Sequence, residues 1–396
     1  MGRKAANEDP ISGLIFGGFG ATTLTFGNAN GNLKGFDTVG ASNDHIRKFN
    51  YVEQLEDAGI VWKEKGTGTL TQEEQAKNAL YYHISEFFRM NPQGTLYVMI
   101  KNAAANVAAG DLSILQNYAE GTIRQCGIFD QNTTPIAVNS LQTELAALEE
   151  NHKPMSVVLT YNGANIATST LTSSNIATDG KCNVSVLIGC DGDATLADNL
   201  GDYATYGCIG TCIGAISKAS VNECIAWVQK FPLGLNAPAL FNGNLIKNIA
   251  QGDIETLNTN HYIFVITHVG DADNYFNDSH TCDVDTSDYA FIENVRTIDK
   301  ACRGVRANLL PYLNSPLKVD AETGKLDAPT VAFLETTAGK ALEDMEKAGE
   351  LSGYRAEIDP EQDVLATSQV EVVIRNVPMG VMRKVNVKIG FATSLN

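Results

Sequence analysis

The chain has 396 residues and a net charge of −17, with 44% hydrophobic and 19% charged residues. That length allows two or three domains with a proper core, and the composition is that of a folded protein. The acidity argues against free nucleic acid or an anionic membrane as the main partner, because either would repel such a surface.

The start, Met1-Gly-Arg-Lys, is charged and no apolar core follows it, so no signal peptide is expected. No run approaches the roughly 18 apolar residues of a membrane span. Ala6 stands where a myristoylation motif wants Ser or Thr. The 8 cysteines form no Cys-x-x-Cys pair and read as buried thiols in a reducing cytoplasm.

Residues 1–10 are polar and read as a short N-terminal arm ending at Pro10. Ile11 to Phe16 reads as a strand running into Gly17-Gly18-Phe19-Gly20, and Asn28 to Gly40 as loop. From Asn43, the spacing of Ile46, Phe49, Val52 and Leu55 by threes predicts a helix. Thr71 with Glu74 has the form of a capping box. The helix behind it turns Ala76, Leu80, His83, Ile84 and Phe87 inward and stops at Asn91-Pro92. Thr95 to Ile100 is a strand of the kind buried on both faces. Helices over Ser113–Cys126 and Ser140–Asn151 then alternate with strands near Ile128, at Met155–Tyr161 and at Val184–Ile188. Tyr203–Lys218 and Val221–Gln229 read as helices, the second capped by Ser220. Such alternation implies a largely parallel sheet covered by helices, an α/β domain over residues 11–255.

The remainder, residues 256–396, reads as an α+β domain. Tyr262 to Val269 is a strand. Asp285 to Leu310 predicts a long helix with Ile292, Val295, Ile298, Cys302, Val305 and Leu309 along its inner face, ended by Pro311. A second helix begins near Asp327 with Pro329 in its first turn, and closes at Gly349. Tyr354 to Ile358 and Val370 to Arg375 follow as strands, the latter marked by Val370, Val372 and Ile374, and Asn376 to Gly380 supplies a turn. In the last segment Val385, Val387, Ile389 and Phe391 alternate with Asn386, Lys388 and Gly390, the period of a half-buried strand. A strand at such a position is free to pair with an open sheet edge of its own or a neighbouring chain.

Chemistry-bearing patterns are sparse. The glycine turn at 17–20 matches neither Gly-x-Gly-x-x-Gly nor the P-loop pattern and reads as a plain turn. Asp191/Asp193 with Asp202, and Asp271/Asp273 with Asp278, do not fit a calcium loop and read as solvated acidic loops. Cys208 and Cys212 share a helix face without two further ligands and read as core. The histidines do not cluster in sequence, His268 reads as a hydrogen-bonded strand end, and no metalloprotease or nucleophile-elbow motif occurs. No catalytic residue, cofactor or metal is therefore expected. Lys300, Arg303 and Arg306 form a basic stripe in an acidic chain. It reads either as a solvated face paired to Asp299 or Glu293, or as a docking surface for an acidic partner.

The run from Tyr262 to Ser279, then Ser287 to Ala301, then Leu309-Leu-Pro-Tyr-Leu, with the helix near 327–349 and the closing strand–turn–strand, resembles the tail sheath proteins of contractile phages and related injection systems. The strand at 184–188, Gly207 to Gly214, and Ser220 to Pro232 with Trp227 are similar too. The resemblance implies a non-enzymatic structural subunit that polymerises into a helical stack of hexameric rings around an inner tail tube and contracts to drive that tube through an envelope. It implies an outer α/β domain and a C-terminal sheath domain nearest the tube, ending in an exchangeable strand arm over 385–396. Its partners would be further copies of itself, the tube protein, and the baseplate and terminator proteins, in a virion tail assembled in the bacterial cytoplasm, without nucleic acid or membrane insertion. On these residues, Val385, Val387, Ile389 and Phe391 become the donated strand, and Val370, Val372 and Ile374 part of the receiving sheet. Lys300, Arg303 and Arg306 become tube-facing. The short stretch before Ile11 departs from the longer N-terminal arm usual in that family. The alternatives are an enzyme on an α/β scaffold, or another tail component such as a terminator or baseplate protein.

Overall fold

A computed structural model describes residues 10–17, 19, 24–27, 32–102, 105–387 and 389–391. The N-terminal arm expected before Pro10 lies outside these residues, as do Gly18 and Gly20 of the glycine turn. By its contacts the chain divides into a unit over Met1–Gly304 and a unit over Val305–Asn396.

The strands of the first unit run, in chain order, as β1 (Ile11–Phe16), β2 (Asp37–Val39), β3 (Asp44–Phe49), β4 (Thr95–Ile100), β5 (Gln125–Asp130), β6 (Ser156–Tyr161), β7 (Val184–Leu187), β8 (Gly189–Asp191), β9 (Pro238–Leu240), β10 (Tyr262–Ile263), β11 (Val265–Thr267) and β12 (Asn274–Phe276). Eight of them form one sheet in the order β10-β7-β6-β5-β1-β4-β3-β2. Its members from β10 to β4 pair in parallel, while β3 and β2 close the far edge antiparallel. This is the α/β class with a largely parallel sheet. Because β10 adds to this sheet beside β7, residues beyond 255 belong to the first unit. The contact boundary accordingly falls later than the expected 255/256 division.

Helices are α1 (Gln54–Asp57), α2 (Gln72–Met90), α3 (Asp111–Tyr118), α4 (Val138–Glu150), α5 (Thr168–Thr172), α6 (Ala194–Leu200), α7 (Ile209–Lys218), α8 (Gln251–Thr259) and α9 (Ile292–Leu309). Alternate strand residues reach opposite faces. Leu14 and Phe16 join one core with Leu80, Ile84 and Phe87 of α2 and Ile213 of α7. Ile15 joins the other with Leu115 of α3 and Leu145 of α4. The sheet is thus the middle layer of three. Helix α2 starts as the sequence implies: the Thr71 side chain accepts from the Glu74 amide and the Glu74 carboxylate accepts from the Thr71 amide. It packs on α7 at Gly210 and Gly214, where a Cβ would press into the backbone carbonyls of His83 and Phe87. Small residues one turn apart let the two helix backbones approach this closely.

Several expected elements differ. The helix read over 113–126 ends at Tyr118, that over 203–218 begins at Ile209, and the strand over 262–269 is split between β10 and β11 in different sheets. Three further differences have an identifiable cause. Residues 44–49 form strand β3, not a helix. Ile46 and Phe49, three apart, lie on opposite faces of a sheet covered on both sides, so each is buried in a different core. Val221 to Gln229 makes turns instead of a helix; Arg296 takes the Ala219 and Ser220 carbonyls that a helix start would use. The long helix begins at Ile292, not Asp285, because residues 283–291 form a loop held by the Asp283 side chain and closed by the His280–Phe291 bridge.

The second unit holds α10 (Ala328–Lys347), β13 (Leu351–Glu357), α11 (Val364–Thr367) and β14 (Val373–Pro378), with the last turns of α9 leading into it. Asp327 caps α10 by accepting from the Thr330 amide, and Pro329 sits in its first turn. Gly349, with φ of 75°, supplies the left-handed residue just after the helix.

Candidate functional site

The second unit carries its chemistry on a pair of strands. β13 and β14 pair antiparallel from Leu351/Pro378 to Glu357/Val373 and form a two-stranded sheet. Two strands alone are marginal in water and need a packed face. Here Leu334, Ala338, Leu342 and Met345 make the buried side of α10, and the Tyr354 ring lies against Gly339. Across the pair Arg355 sits opposite Arg375, an arrangement that repels by itself. Glu357 offsets it, one oxygen at 2.6 Å from each guanidinium. Among the described residues no third strand joins the pair, so both outer edges are open.

The receiving strand begins three residues later than expected. Val370 and Val372 lie outside β14, half-buried against Leu326, Leu334 and Ile358, while Ile374 lies within it. The cause is Gln362. Its side chain donates to the Glu371 carbonyl at 2.9 Å and accepts from the Glu371 amide at 2.7 Å, occupying the groups a ladder would use. Asn376 and Val377, read as turn, are therefore strand.

Val385, Val387, Ile389 and Phe391 belong to no strand among the described residues, and their exposure rises from 67% at Val385 to 112% at Phe391. Val373, Val377 and Met382 are exposed as well. Each such side chain forgoes about 1.5–3 kcal/mol that full burial would contribute. Rows of exposed apolar side chains and unpaired strand edges are both features by which protein surfaces pair with partners.

The basic stripe is less uniform than its spacing implies. Arg306 is exposed, whereas Lys300 and Arg303 are half-buried. Cys302, expected inward, is exposed, and Ala301 is buried in its place. Asp299 is buried; burial raises its carboxyl to about 7, with Glu149 adding to the rise and Arg303, Arg124 and Arg296 opposing it.

The other sequence candidates have structural roles. Asp191 accepts from the Asn236, Ala237 and Asp193 amides, and Asp193 caps α6. Asp271 accepts from the Asp273 amide and the Tyr275 hydroxyl, which hold it below the usual carboxylate range. Asp278 is buried and accepts from the Ser279 amide, and Asp202 donates its amide to the Gln75 side chain. The His268 ring lies tilted against Tyr275, with centroids 5.6 Å apart. Cys208 and Cys212 are buried in the core, and burial pushes both thiols up. One grouping was missed: His261 and His280, nineteen positions apart in sequence, bring their ring centroids to 4.7 Å. Only the folding-back of residues 264–279 unites them, so no local spacing signals it.

The DUF2586 N-terminal domain model matches residues 45–280, and the DUF2586 C-terminal domain model matches residues 288–396. The chain belongs to the DUF2586 family. No curated protein sequence matches this DUF2586 chain significantly. Among solved structures it is similar to the contracted helical sheath of the anti-feeding prophage, with TM-score 0.59 and 13% identity over 96% of this chain and 92% of that one. It is similar to a chain of the six-fold symmetrised anti-feeding prophage baseplate, with TM-score 0.60 and 13% identity over 98% and 94%. The contracted sheath complex of PVC, an extracellular contractile injection system, gives TM-score 0.58 and 12% identity over 97% and 92%. The DUF2586 chain thus has the contractile-sheath fold along nearly its whole length.

Proposed function

We propose that this DUF2586 protein is the sheath subunit of a contractile tail or injection particle. It polymerises with itself in stacked six-membered rings around an inner tube and shortens to drive that tube forward. The observation carrying this reading is the exposed apolar segment at Val385–Phe391 together with the open edges of the β13–β14 pair, in a chain with the sheath fold. The segment adds to the pair of a neighbouring subunit. Each backbone hydrogen bond in such a joint contributes only about 1 kcal/mol net, so the joint is firm in sum yet able to hinge while subunits rotate. Contraction then needs a free-energy difference between the long and short lattices, set by the rest of the interface. Arg306, the exposed member of the basic stripe, is the residue we assign to face the tube; baseplate and terminator proteins bound the two ends of the polymer.

Electron microscopy of the overexpressed full chain tests this. Striated tubes are expected, and deletion of Val385–Asn396 should leave a folded subunit that makes none. Unfolding of the truncated chain, or tubes that persist without the segment, would overturn the strand-exchange reading. A second reading, a baseplate or terminator component, draws on the baseplate chain of similar fold. Copy number per particle separates the two, since a sheath requires many copies and the ends of a tail few.

A further inference from the structure

The first unit contains a cluster of metal-binding side chains that the assembly reading does not use. His261 and His280 are 2% and 4% exposed, and Asp285 is exposed on the loop that precedes α9. One ligand atom from each lies within 4.8 Å of the others, and His261 Nε2 stands 2.9 Å from Asp285 Oδ1.

The hydrogen-bond partners set the tautomers. His261 Nδ1 lies 3.0 Å from the Thr281 carbonyl oxygen, which can only accept, so Nδ1 donates and Nε2, facing Asp285, is the nitrogen left to bind a cation. His280 Nε2 lies 3.2 Å from Asn258 Oδ1. That atom is identified as oxygen because it also accepts from Asn277 Nδ2 at 2.7 Å, whose amide donates in turn to the Tyr262 carbonyl. His280 Nε2 therefore donates, and Nδ1 holds the lone pair. Both imidazoles are thus oriented from behind by a carbonyl or amide oxygen, the outer-shell arrangement that fixes histidine ligands at metal centres. His261 is also held at φ of 68°, a left-handed conformation costly for a residue with a Cβ.

We propose that His261 Nε2, His280 Nδ1 and an Asp285 carboxylate oxygen form a site for a first-row divalent cation, with zinc as its natural occupant. Two imidazoles and one carboxylate suit zinc, cobalt or nickel better than magnesium or calcium, which prefer all-oxygen cages. Zinc bonds of about 2.0–2.2 Å require ligand atoms within about 4 Å of one another. The ligand atoms, now within 4.8 Å of one another, draw together on binding, and water fills the open position. The loop it belongs to is already tied at its neck: Thr281 donates its amide to the Ala290 carbonyl, and Ile292 to that of Ser279. A cation at the apex fastens the loop to the start of β10 and stiffens the segment from which α9 begins.

The test uses purified, chelator-treated full chain. Titration with zinc chloride by calorimetry should show one saturable ion per chain and a zinc-dependent rise in Tm, and cobalt(II) should develop visible absorption bands of a four-coordinate site. Asp285→Asn, at an exposed position, should weaken zinc binding at least tenfold. Asn258→Ala, which removes the partner of His280, should weaken it roughly 10-fold. Absence of saturable binding would overturn the proposal. So would binding that is unchanged in both Asp285→Asn and His280→Ala, which would place the ion elsewhere and leave His261–Asp285 as an ion pair only.

Discussion

The two units treat the same kind of strand in opposite ways. In the first, every strand from β10 to β4 sends side chains into two cores, one on each face, and fully buried side chains such as Phe16, Phe129 and Phe264 lie within it. In the second, one face of a two-stranded sheet rests on α10, the other face and both edges are open among the described residues, and Val385, Val387, Ile389 and Phe391 beyond β14 are exposed. The first unit satisfies its backbone and apolar surface internally; the second leaves both unfinished. The proposed function thus assigns association to the second unit and leaves stability mainly to the first, and experiments that separate the two properties probe the division.

The largest effect is expected at the unfinished end. Removing Val385–Asn396 should abolish tubes while changing the urea unfolding free energy by no more than about 0.5 kcal/mol, the range of exposed positions. A larger loss would mean the segment completes its own subunit. In the finished unit, Lys101 is buried between Asp44 at 2.7 Å and Asp111 at 2.6 Å. Burial alone would lower its pKa, but the two carboxylates together raise it. Lys101→Met strands two buried carboxylates and should cost about 3–5 kcal/mol in a denaturant melt.

Next comes pH. Asp299 titrates near 3.8 when free and at about 7 in the fold, because burial disfavours its charge. The folded chain therefore binds the extra proton, and this contribution is present below pH 3.8 and lost as pH rises through 7. Burial lowers His83, among Phe16, Tyr82 and Phe129, from 6.5 to about 3. Its contribution has the opposite sign, being present above pH 6.5 and lost as pH falls toward 3. Each tenfold difference in proton affinity between the folded and unfolded chain is worth about 1.4 kcal/mol. Unfolding free energies followed across this range should change their pH slope in opposite directions for Asp299→Asn and His83→Phe. Parallel curves would show that neither group is coupled to folding. The smallest effect is at the α2 cap, where Thr71→Ala should cost about 1 kcal/mol; no change there would mean that packing on α7 alone fixes the helix start.

The sequence is legible where one local signal decides the structure. The Thr71–Glu74 capping box, the limits of β1 and β4, and the Asp327–Pro329 start of α10 follow from caps, turns and periodicity. It misleads where a distant group decides. Ile46 and Phe49 mimic a helix because two cores bury them from opposite sides. Val370 and Val372 mimic a ladder strand that Gln362 pre-empts. Lys300 and Arg303 look solvated although they are half-buried beside Asp299, itself buried. The His261–His280–Asp285 grouping has no local pattern at all, since it depends on how a loop returns to the sheet.

The open pair and the apolar tail occupy different stretches of chain, so under the proposed exchange a subunit that lends its tail does not, by the same contact, borrow its neighbour's. Such a contact is heterologous. It has no twofold axis to close it into a dimer, and repetition yields either a ring, if the rotation returns on itself, or a filament without limit. Growth of that kind stops only when something without a matching edge occupies the last position. On the proposed reading, the length of the polymer is then a property of whatever proteins bind its ends and not of the repeating unit.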